Sequence, residues 1–180
     1  MQVQAQALIK PPIAVETGAG RGIGTELLLK EHEIVHSIEL DPVAAYVTML
    51  KVPECIMHVG DSAHVLPILA RGINAPVYWY LDAHWCDGVP AELADRCGFP
   101  LWEELDAIRQ RPYADLVYVD DYHTWAMERP EFPESRRHDW DDVHELKIIE
   151  SLGKRTLVDG RVRWSRRHGD GFLLQMSGEL

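Results

Sequence analysis

A glycine-rich stretch directly after the first apolar run is the feature that most constrains the fold of this chain. Ile13-Ala14-Val15-Glu16-Thr17 is followed by Gly18-Ala19-Gly20-Arg21-Gly22-Ile23-Gly24. Glycine permits positive φ and lets a ligand approach the backbone closely, and a helix that begins behind such a loop offers free amide groups. The pattern predicts a strand, a ligand-binding turn and a helix. A tight turn with no ligand is the simpler alternative.

Short apolar runs alternate with helical patterns along the rest of the chain, which favours βαβ units and a parallel sheet. We expect strands at 13–17, 34–40, 55–59, 77–82, 116–120, 156–164 and 171–176. Helices are expected at 24–30, 43–50, 63–70, 100–109 and 141–152, the last with Val143, Leu146, Ile148 and Ile149 near one side. The run 77–82 is apolar on both faces, as a central parallel strand should be.

The length of 180 residues fits one domain, 1–180, with a core of useful size. Residues 1–12 form an N-terminal extension in this interpretation. Two irregular stretches, 85–99 and 122–140, directly follow expected strands and are rich in Pro, Trp and charge. Long loops of this kind often carry function, so we expect both on the side where a substrate binds.

The net charge of −11 disfavours a nucleic-acid partner, because proteins that neutralise phosphates usually carry a basic face. Basic residues cluster only locally, at 136–137 and 161–167. The three cysteines do not suggest a disulfide framework. Residues 1–12 lack a signal pattern, and no apolar run approaches the roughly 20 residues of a membrane span. We expect a cytoplasmic protein with no membrane partner.

Two known families share the glycine-rich stretch. Thr17 to Gly24 matches the short-chain dehydrogenase motif Thr-Gly-x-x-x-Gly-Ile-Gly, and Glu16-x-Gly18-x-Gly20-x-Gly22 equally matches the first motif of class I methyltransferases. The dehydrogenases need a Tyr-x-x-x-Lys pair, whose Lys lowers the phenol pKa for proton transfer. No tyrosine of this chain has a lysine four residues later. An NAD(P)-dependent oxidoreductase is therefore the second hypothesis rather than the first.

Acidic residues follow several of the expected strands. Glu39 ends the second strand, Asp61-Ser62 follow the third, and Asp82 ends the fourth. Ligands of open α/β sheets bind outside the carboxyl ends of the strands, where an acidic residue can accept hydrogen bonds from ribose hydroxyls. Asp61 could equally cap the helix that follows it. The repeated placement of acidic residues nevertheless favours a cofactor site at the carboxyl ends of these strands.

At this point the chain resembles class I S-adenosylmethionine-dependent methyltransferases over about residues 13–121. Leu81-Asp82-Ala83-His84-Trp85 followed by Pro100-Leu101-Trp102-Glu103-Glu104-Leu105 is similar to a bacterial branch of them. Val119-Asp120-Asp121-Tyr122 resembles the end of strand five in metal-dependent O-methyltransferases. The resemblance implies an α/β, Rossmann-like, doubly wound sheet of seven mostly parallel strands, with the last strand antiparallel.

The resemblance also implies S-adenosylmethionine as the cofactor and Mg²⁺ as an optional second one. The residues implied to bind the methionine part are Glu16, Gly18, Gly20 and Gly22. Glu39 would hold the ribose, Asp61 and Ser62 the adenine, and Asp82 would lie beside the transferred methyl group. Asp82, Asp120 and Asp121 would bind the metal.

Oxygen ligands suit Mg²⁺, and a metal-bound hydroxyl is easier to deprotonate. Asp82 or His84 could then act as the base, since histidine titrates near neutral pH. Asp120-Asp121 as a simple cap of the next turn is the alternative. A zinc site from His84, Cys86, Cys97 and His123 is a further one, although its spacing matches no standard pattern.

The acceptor is expected to be a hydroxyl of a small molecule. Enzymes that methylate the amino groups of bases usually carry Asp/Asn-Pro-Pro-aromatic after strand four, where this chain has Asp82-Ala83-His84-Trp85. Aromatic walls suit such a pocket, and its candidates are Trp85, Trp102, Tyr122, Trp125 and Trp140. A second copy of the chain could complete the pocket as a homo-oligomer. A non-catalytic cofactor-binding module is the third hypothesis.

Overall fold

The structure of the chain, a computed structural model, describes residues 10–84, 99–120, 145–153, 162–168 (backbone only) and 171–178. Its strands are β1 (Ile13–Thr17), β2 (Ile34–Glu39), β3 (Ile56–Val59), β4 (Val77–Leu81), β5 (Leu116–Val119), β6 (Val162–His168) and β7 (Gly171–Met176). Its helices are α1 (Ile23–Leu28), α2 (Pro42–Lys51), α3 (Ser62–Gly72), α4 (Leu101–Arg109) and α5 (Glu145–Leu152).

The strands form one sheet in the order β3-β2-β1-β4-β5-β7-β6. β1 lies parallel between β2 and β4, β3 adds to β2 and β5 adds to β4, all in parallel register. β7 runs antiparallel to both β5 and β6. The predicted α/β class, with a mostly parallel sheet and antiparallel pairing at its end, is confirmed.

Local capping explains where two of the helices begin. The Asp41 side chain accepts a hydrogen bond from the Val43 amide at 2.9 Å, and Pro42 occupies the first turn of α2. The Asp61 side chain accepts from the Ala63 amide at 2.9 Å and begins α3 in the same way. Both caps follow strand ends, so each helix starts at the carboxyl edge of the sheet.

Most of the core lies between the sheet and the helices α3, α4 and α5. Val15, Leu66, Trp79, Leu105 and Leu174 are fully buried in this cluster. A smaller cluster lies on the opposite face, where Ala14, Leu28 and Val35 pack with Tyr78 and Tyr80 of β4. The alternating faces of β4 therefore enter two different clusters.

Several predicted bounds were wrong. α1 starts at Ile23 and ends at Leu28 rather than spanning 24–30. β6 continues to His168, beyond the predicted end at 164, and residues 156–161 of that prediction are outside the described residues. On α5 the buried residues are Ile148, Ile149 and Leu152, whereas Leu146 is 63% exposed. Leu146 lies on the flank of that stripe, because each helical residue turns the side chain by about 100°.

A buried ion pair holds the opposite, amino-terminal edge of the sheet. Arg111 Nε donates to Asp115 Oδ2 at 2.7 Å, and both side chains are almost fully buried. The guanidinium also donates to the carbonyl oxygens of Ala70 and Ile73 at the end of α3 and of Ala75 in the segment before β4. None of the helices in the described ranges is long and apolar enough to cross a membrane.

Candidate cofactor and active site

The glycine-rich loop turns sharply at the carboxyl end of β1. Gly18, Gly20 and Gly22 have φ values of 76°, 52° and 74°, in the left-handed region that favours glycine. The amides of Gly18 and Ala19 both donate to the Ile38 carbonyl, at 2.9 and 3.1 Å. A Cβ at Gly18 would lie 2.5 Å from the carbonyl oxygen of Asp82. The loop is therefore fitted tightly between β2 and the end of β4.

Glu39 holds the middle of this loop. Its Oε2 accepts from the Gly20 amide at 2.7 Å, and its Oε1 accepts from the Asp41 amide at 2.8 Å. The hydroxyl of Thr48, from α2, donates to the Gly20 carbonyl at 3.0 Å. A carboxylate can accept about four hydrogen bonds in all, so Glu39 retains acceptor capacity for ligand hydroxyls.

Glu16 lies behind the loop and not on its open side. Its carboxylate is 1% exposed and accepts from the hydroxyls of Thr25 and Ser37, at 2.5 and 2.8 Å. Burial raises the pKa of Glu16 to about 7, and these two hydrogen bonds oppose the shift. A Cβ at Gly24 would collide with Glu16 Oε1, so the carboxyl group fills the space between β1 and α1.

The end of β3 brings Asp61 and Ser62 toward Glu39. The Gly60 amide donates to the Glu39 carbonyl at 2.8 Å, which joins the two strand ends. Asp61 Oδ1 is used by the helix cap, and Oδ2 lies 3.5 Å from His64 Nδ1. Ser62 is 5% exposed. Asp61 thus does cap α3, while its second oxygen faces an exposed histidine.

The end of β4 places a carboxylate beside an imidazole. His84 Nε2 lies 3.3 Å from Asp82 Oδ1, with side-chain exposures of 16% and 30%. The Thr17 hydroxyl accepts from the backbone amides of Asp82 and Ala83 at 3.2 and 3.3 Å. These contacts fix the segment that leaves β4 against the end of β1.

Asp120 follows β5 at the same edge as Asp82. The Tyr80 hydroxyl donates to Asp120 Oδ2, and the Asp120 amide donates to the Leu81 carbonyl at 2.9 Å. Burial and this hydrogen bond to Asp120 raise the pKa of Tyr80, which keeps its phenol protonated as the donor. Tyr80 is further held by stacking on Tyr118, with ring centroids 5.3 Å apart.

No group of three or more His, Cys, Asp or Glu side chains suited to a metal ion exists among the described residues. Asp121, the third predicted magnesium ligand, lies outside them, as do Cys86, Cys97 and His123 of the zinc alternative. The predicted pocket residues Trp85, Tyr122, Trp125 and Trp140 also lie outside. The metal prediction therefore stays a prediction.

Trp102, the remaining pocket candidate, belongs to α4. Its ring contacts Phe99 edge-on, and Lys147 Nζ lies 4.6 Å from its centroid. Trp102 lines a groove of about 710 Å³ between α3 and α4 whose other walls include Arg71 and Tyr113. None of the predicted cofactor residues lines this groove.

The strand order bears on the choice between the two cofactor hypotheses. Dinucleotide-binding sheets have the order 3-2-1-4-5-6. Here an antiparallel β7 lies between β5 and β6. This arrangement disfavours the NAD(P)-binding alternative, although the glycine-rich loop alone is compatible with it.

Neither a family model nor a curated protein sequence matches the chain. Solved structures do. A candidate caffeoyl-CoA O-methyltransferase from Staphylococcus aureus superposes with a TM-score of 0.61 at 10% identity, over 93% of this chain and 77% of that one. A structure solved for the conversion of a disulfide bond into a thioacetal group in echinomycin biosynthesis gives 0.55 at 12% identity, over 93% and 76%. A ribosomal-protein methylase from Lactobacillus delbrueckii subsp. bulgaricus gives 0.50 at 11%, over 97% and 73%.

The fold is that of class I methyltransferases. At these identities the likeness concerns the fold, and chemistry has to be argued from the site itself. The methyltransferase fold brings Glu39, Asp61, Asp82 and Asp120 to one edge, together with the glycine-rich loop.

Sequence reasoning missed the side chains that support this edge from within the methyltransferase fold. They are Thr17, Thr25, Ser37, Thr48 and Tyr80, and the buried Glu104 of α4 was missed as well. Single hydroxyl residues inside strands and helices carry no distinctive sequence pattern. Glu104 could have been noticed in the sequence, because it interrupts the apolar stripe of Leu101, Leu105 and Ile108 at helical spacing. In the structure it is only 1% exposed.

Proposed function

We propose that this protein is an S-adenosylmethionine-dependent methyltransferase that methylates a hydroxyl group of a small molecule. One observation carries the proposal. The positive-φ loop of Gly18, Gly20 and Gly22 is held by Glu39 at the carboxyl edge of β1, in a sheet with the methyltransferase strand order. That order also supports the seven-stranded form of the fold.

The residues at this edge fit the cofactor. A Cβ added at Gly20 would meet only the Gly18 carbonyl oxygen, 3.9 Å away, so this part of the loop borders open space that a ligand can fill. In the proposed complex the loop backbone binds the methionine part and Glu39 accepts from the ribose hydroxyls. Asp61 and Ser62 would contact the adenine. Glu16 supports the loop from behind.

Charge distinguishes the two cofactors. Glu39, Asp61, Asp82 and Asp120 give this edge a concentration of carboxylates. S-adenosylmethionine, when bound, supplies an electrophilic methyl group on a positively charged sulfonium. Carboxylates favour a cation nearby and disfavour the pyrophosphate of a dinucleotide.

Asp82 and His84 are the proposed pair for removing the acceptor proton. A hydroxyl is a weak nucleophile until its proton is taken, and an imidazole is suited to this near neutral pH. Asp82 Oδ1 lies 3.3 Å from His84 Nε2 and would orient the ring. Asp82 as the base itself is the alternative. Loss of most methyl transfer in His84→Gln, with S-adenosylhomocysteine binding retained, would assign the base to His84.

The described residues do not by themselves make a metal site. Asp82 and Asp120 lie at neighbouring strand ends, and the Asp120 carboxylate already accepts the Tyr80 hydroxyl. A magnesium requirement would rest on Asp121 joining them. Methyl transfer measured with EDTA and then with added Mg²⁺ tests that part of the proposal.

Calorimetry tests the cofactor assignment. We expect S-adenosylhomocysteine to bind at micromolar concentrations and NADPH not to bind. Binding of NADPH without binding of S-adenosylhomocysteine would instead favour the oxidoreductase hypothesis. A panel of hydroxyl-bearing and amine-bearing small molecules with labelled S-adenosylmethionine then tests the acceptor class. Binding with no transfer to any of them would favour the non-catalytic module.

A further inference from the structure

The outer sides of α1 and α2 carry large apolar side chains that face solvent. On α2 these residues recur at the spacing i, i+3, i+4 and i+7, which places them on one stripe of the helix. Two residues of α1, one turn apart, extend the surface. The six side chains are between 48% and 68% exposed, and we call them the outer apolar surface: Ile23, Leu27, Val43, Tyr46, Val47 and Leu50.

This stripe of α2 makes no part of the core. A helix on the surface of a domain usually turns its apolar stripe toward the core. α2 instead buries Ala45 and Thr48, which lie on the opposite side of the helix from the stripe, because each residue turns the side chain by about 100°. The apolar stripe is therefore left for a contact outside its own sheet.

The two helices lie side by side, so their outer sides form one surface. The Thr48 hydroxyl of α2 donates to the Gly20 carbonyl ahead of α1 at 3.0 Å. Lys51 Nζ of α2 lies 3.4 Å from Glu26 Oε2 of α1, and Lys30 Nζ lies 3.6 Å from Glu26 Oε1. The charges between the two apolar stripes are thus paired with each other.

The size of the outer apolar surface approaches that of a protein interface. Six side chains of this kind, about half to two-thirds exposed, present on the order of 600 Å² of apolar surface, the upper end of what one patch of a monomer usually leaves in water. Each partner contributes about 800 Å² to an interface of standard size. The surrounding polar groups of α1 and α2 can supply the remainder.

The charge around this surface favours a second copy of the chain as the occupant. The whole chain has a net charge of −11, so two copies repel each other overall. Within 21–31 and 41–51, however, the charged residues are three of each sign: Arg21, Lys30, Lys51, Glu26, Glu31 and Asp41. Two copies meet with least repulsion on such a balanced face, whereas a strongly acidic or basic partner finds no complementary charge there.

We propose that the outer apolar surface is the interface of a homodimer, in which two copies of the chain pair through α1 and α2 about a two-fold axis. Such an interface uses the same patch on both copies. Tyr46 and Val47, at the middle of the stripe on α2, lie nearest to the axis, and tyrosine is a frequent anchor at the centre of interfaces. The dimer goes beyond the proposed methyl transfer and does not depend on it.

Sedimentation of the full chain over a range of concentrations tests the dimer. We expect the wild type to be mostly a dimer of 20.5 kDa chains at about 50 µM, with dissociation at micromolar concentrations. Leu50→Lys should raise the dissociation constant at least about 100-fold, because each dimer contains the buried charge twice. Lysine lowers the acidic net charge, so this loss cannot come from added overall repulsion.

Leu146→Lys is the matched control, since Leu146 of α5 is 63% exposed and Leu50 is 67% exposed. It should dimerise like the wild type. A monomeric wild type at about 100 µM, or equal association of Leu50→Lys and the wild type, would overturn the proposal, and so would equal weakening in both lysine variants. A monomeric wild type that dimerises once residues 1–9 are deleted would assign the surface to that segment instead.

Cofactor binding separates this test from that of the proposed function. Leu50 lies about 12 Å along α2 from Pro42, which starts at the cofactor edge. Leu50→Lys should therefore bind S-adenosylhomocysteine within about threefold of the wild type, which also shows that the variant is folded. If the wild type forms the dimer as expected and binds no S-adenosylhomocysteine, the proposed function fails and the interface stands.

Discussion

Two glycines of the loop have similar backbone angles and quite different surroundings. Gly18 and Gly20 both have positive φ, which costs other residues about 1–2 kcal/mol. A Cβ at Gly18 would press on the backbone of Asp82 and Ala83, whereas one at Gly20 would enter open space. At Gly18 packing within the protein already requires a glycine. At Gly20 only the approach of a ligand would require one.

Gly20→Ala is expected to lower the free energy of unfolding by only about 1 kcal/mol and to abolish most binding of S-adenosylhomocysteine. Gly18→Ala should destabilise the protein by more, since β1 and β4 must part to admit the methyl group. Urea unfolding and calorimetry measure the two effects. Cofactor binding that survives in Gly20→Ala would mean that no ligand approaches the loop there.

Glu16→Gln should reveal the cost of the buried carboxylate as a pH dependence. The pKa of Glu16 is raised from 4.5 to about 7 in the folded protein, so the folded state binds the proton more tightly. Its contribution to stability is present below pH 4.5 and is lost as pH rises through 7. The free energy of unfolding of Glu16→Gln, relative to that of the wild type, should therefore rise by about 3 kcal/mol from acidic to alkaline pH.

Unfolding in urea at about pH 5 and about pH 8.5 measures this difference. Burial lowers the pKa values of His32, His36 and His58, which makes the fold less stable as pH falls below their usual range. That effect is the same in both proteins and cancels. A pH-independent difference between variant and wild type would contradict the buried, proton-binding Glu16.

At the scale of elements, one arginine joins pieces that are distant in sequence. Arg111 contacts the end of α3, the segment before β4 and the start of β5. The position could not be predicted from the sequence, because an Arg-Pro pair after a helix resembles any exposed turn. The start of α2 has a clearer local signal, because Asp41 caps the helix and Pro42 occupies its first turn.

Arg111→Met should lower the free energy of unfolding by about 3–5 kcal/mol, because it leaves Asp115 buried without its partner. Arg109→Met is the matched control. Arg109 pairs with Asp106 at half-exposed positions, where such pairs are worth under about 1 kcal/mol. Urea unfolding compares the two, and equal losses would show that burial of the Arg111 pair does not matter.

At the scale of the whole molecule, the parallel strands place their carboxyl ends along one edge, and this could be predicted. Glu39, Asp61, Asp82 and Asp120 were expected there because each follows an apolar run. The hydrogen bonds that support this edge could not be predicted, because they join residues far apart in the chain, such as Thr17 with Asp82 and Thr48 with Gly20. The described part of the predicted strand 156–164 lies in β6, which continues to His168.

The central claim is that this edge binds S-adenosylmethionine with Glu39 on its ribose. Titration of S-adenosylhomocysteine into the wild type, Glu39→Ala and Glu33→Ala tests it most directly, with Glu33 an exposed residue just before the same strand. We predict micromolar binding to the wild type and to Glu33→Ala, and binding at least about 100-fold weaker in Glu39→Ala, the loss of two charge-assisted hydrogen bonds. Equal binding by all three, or none by the wild type, would contradict the account.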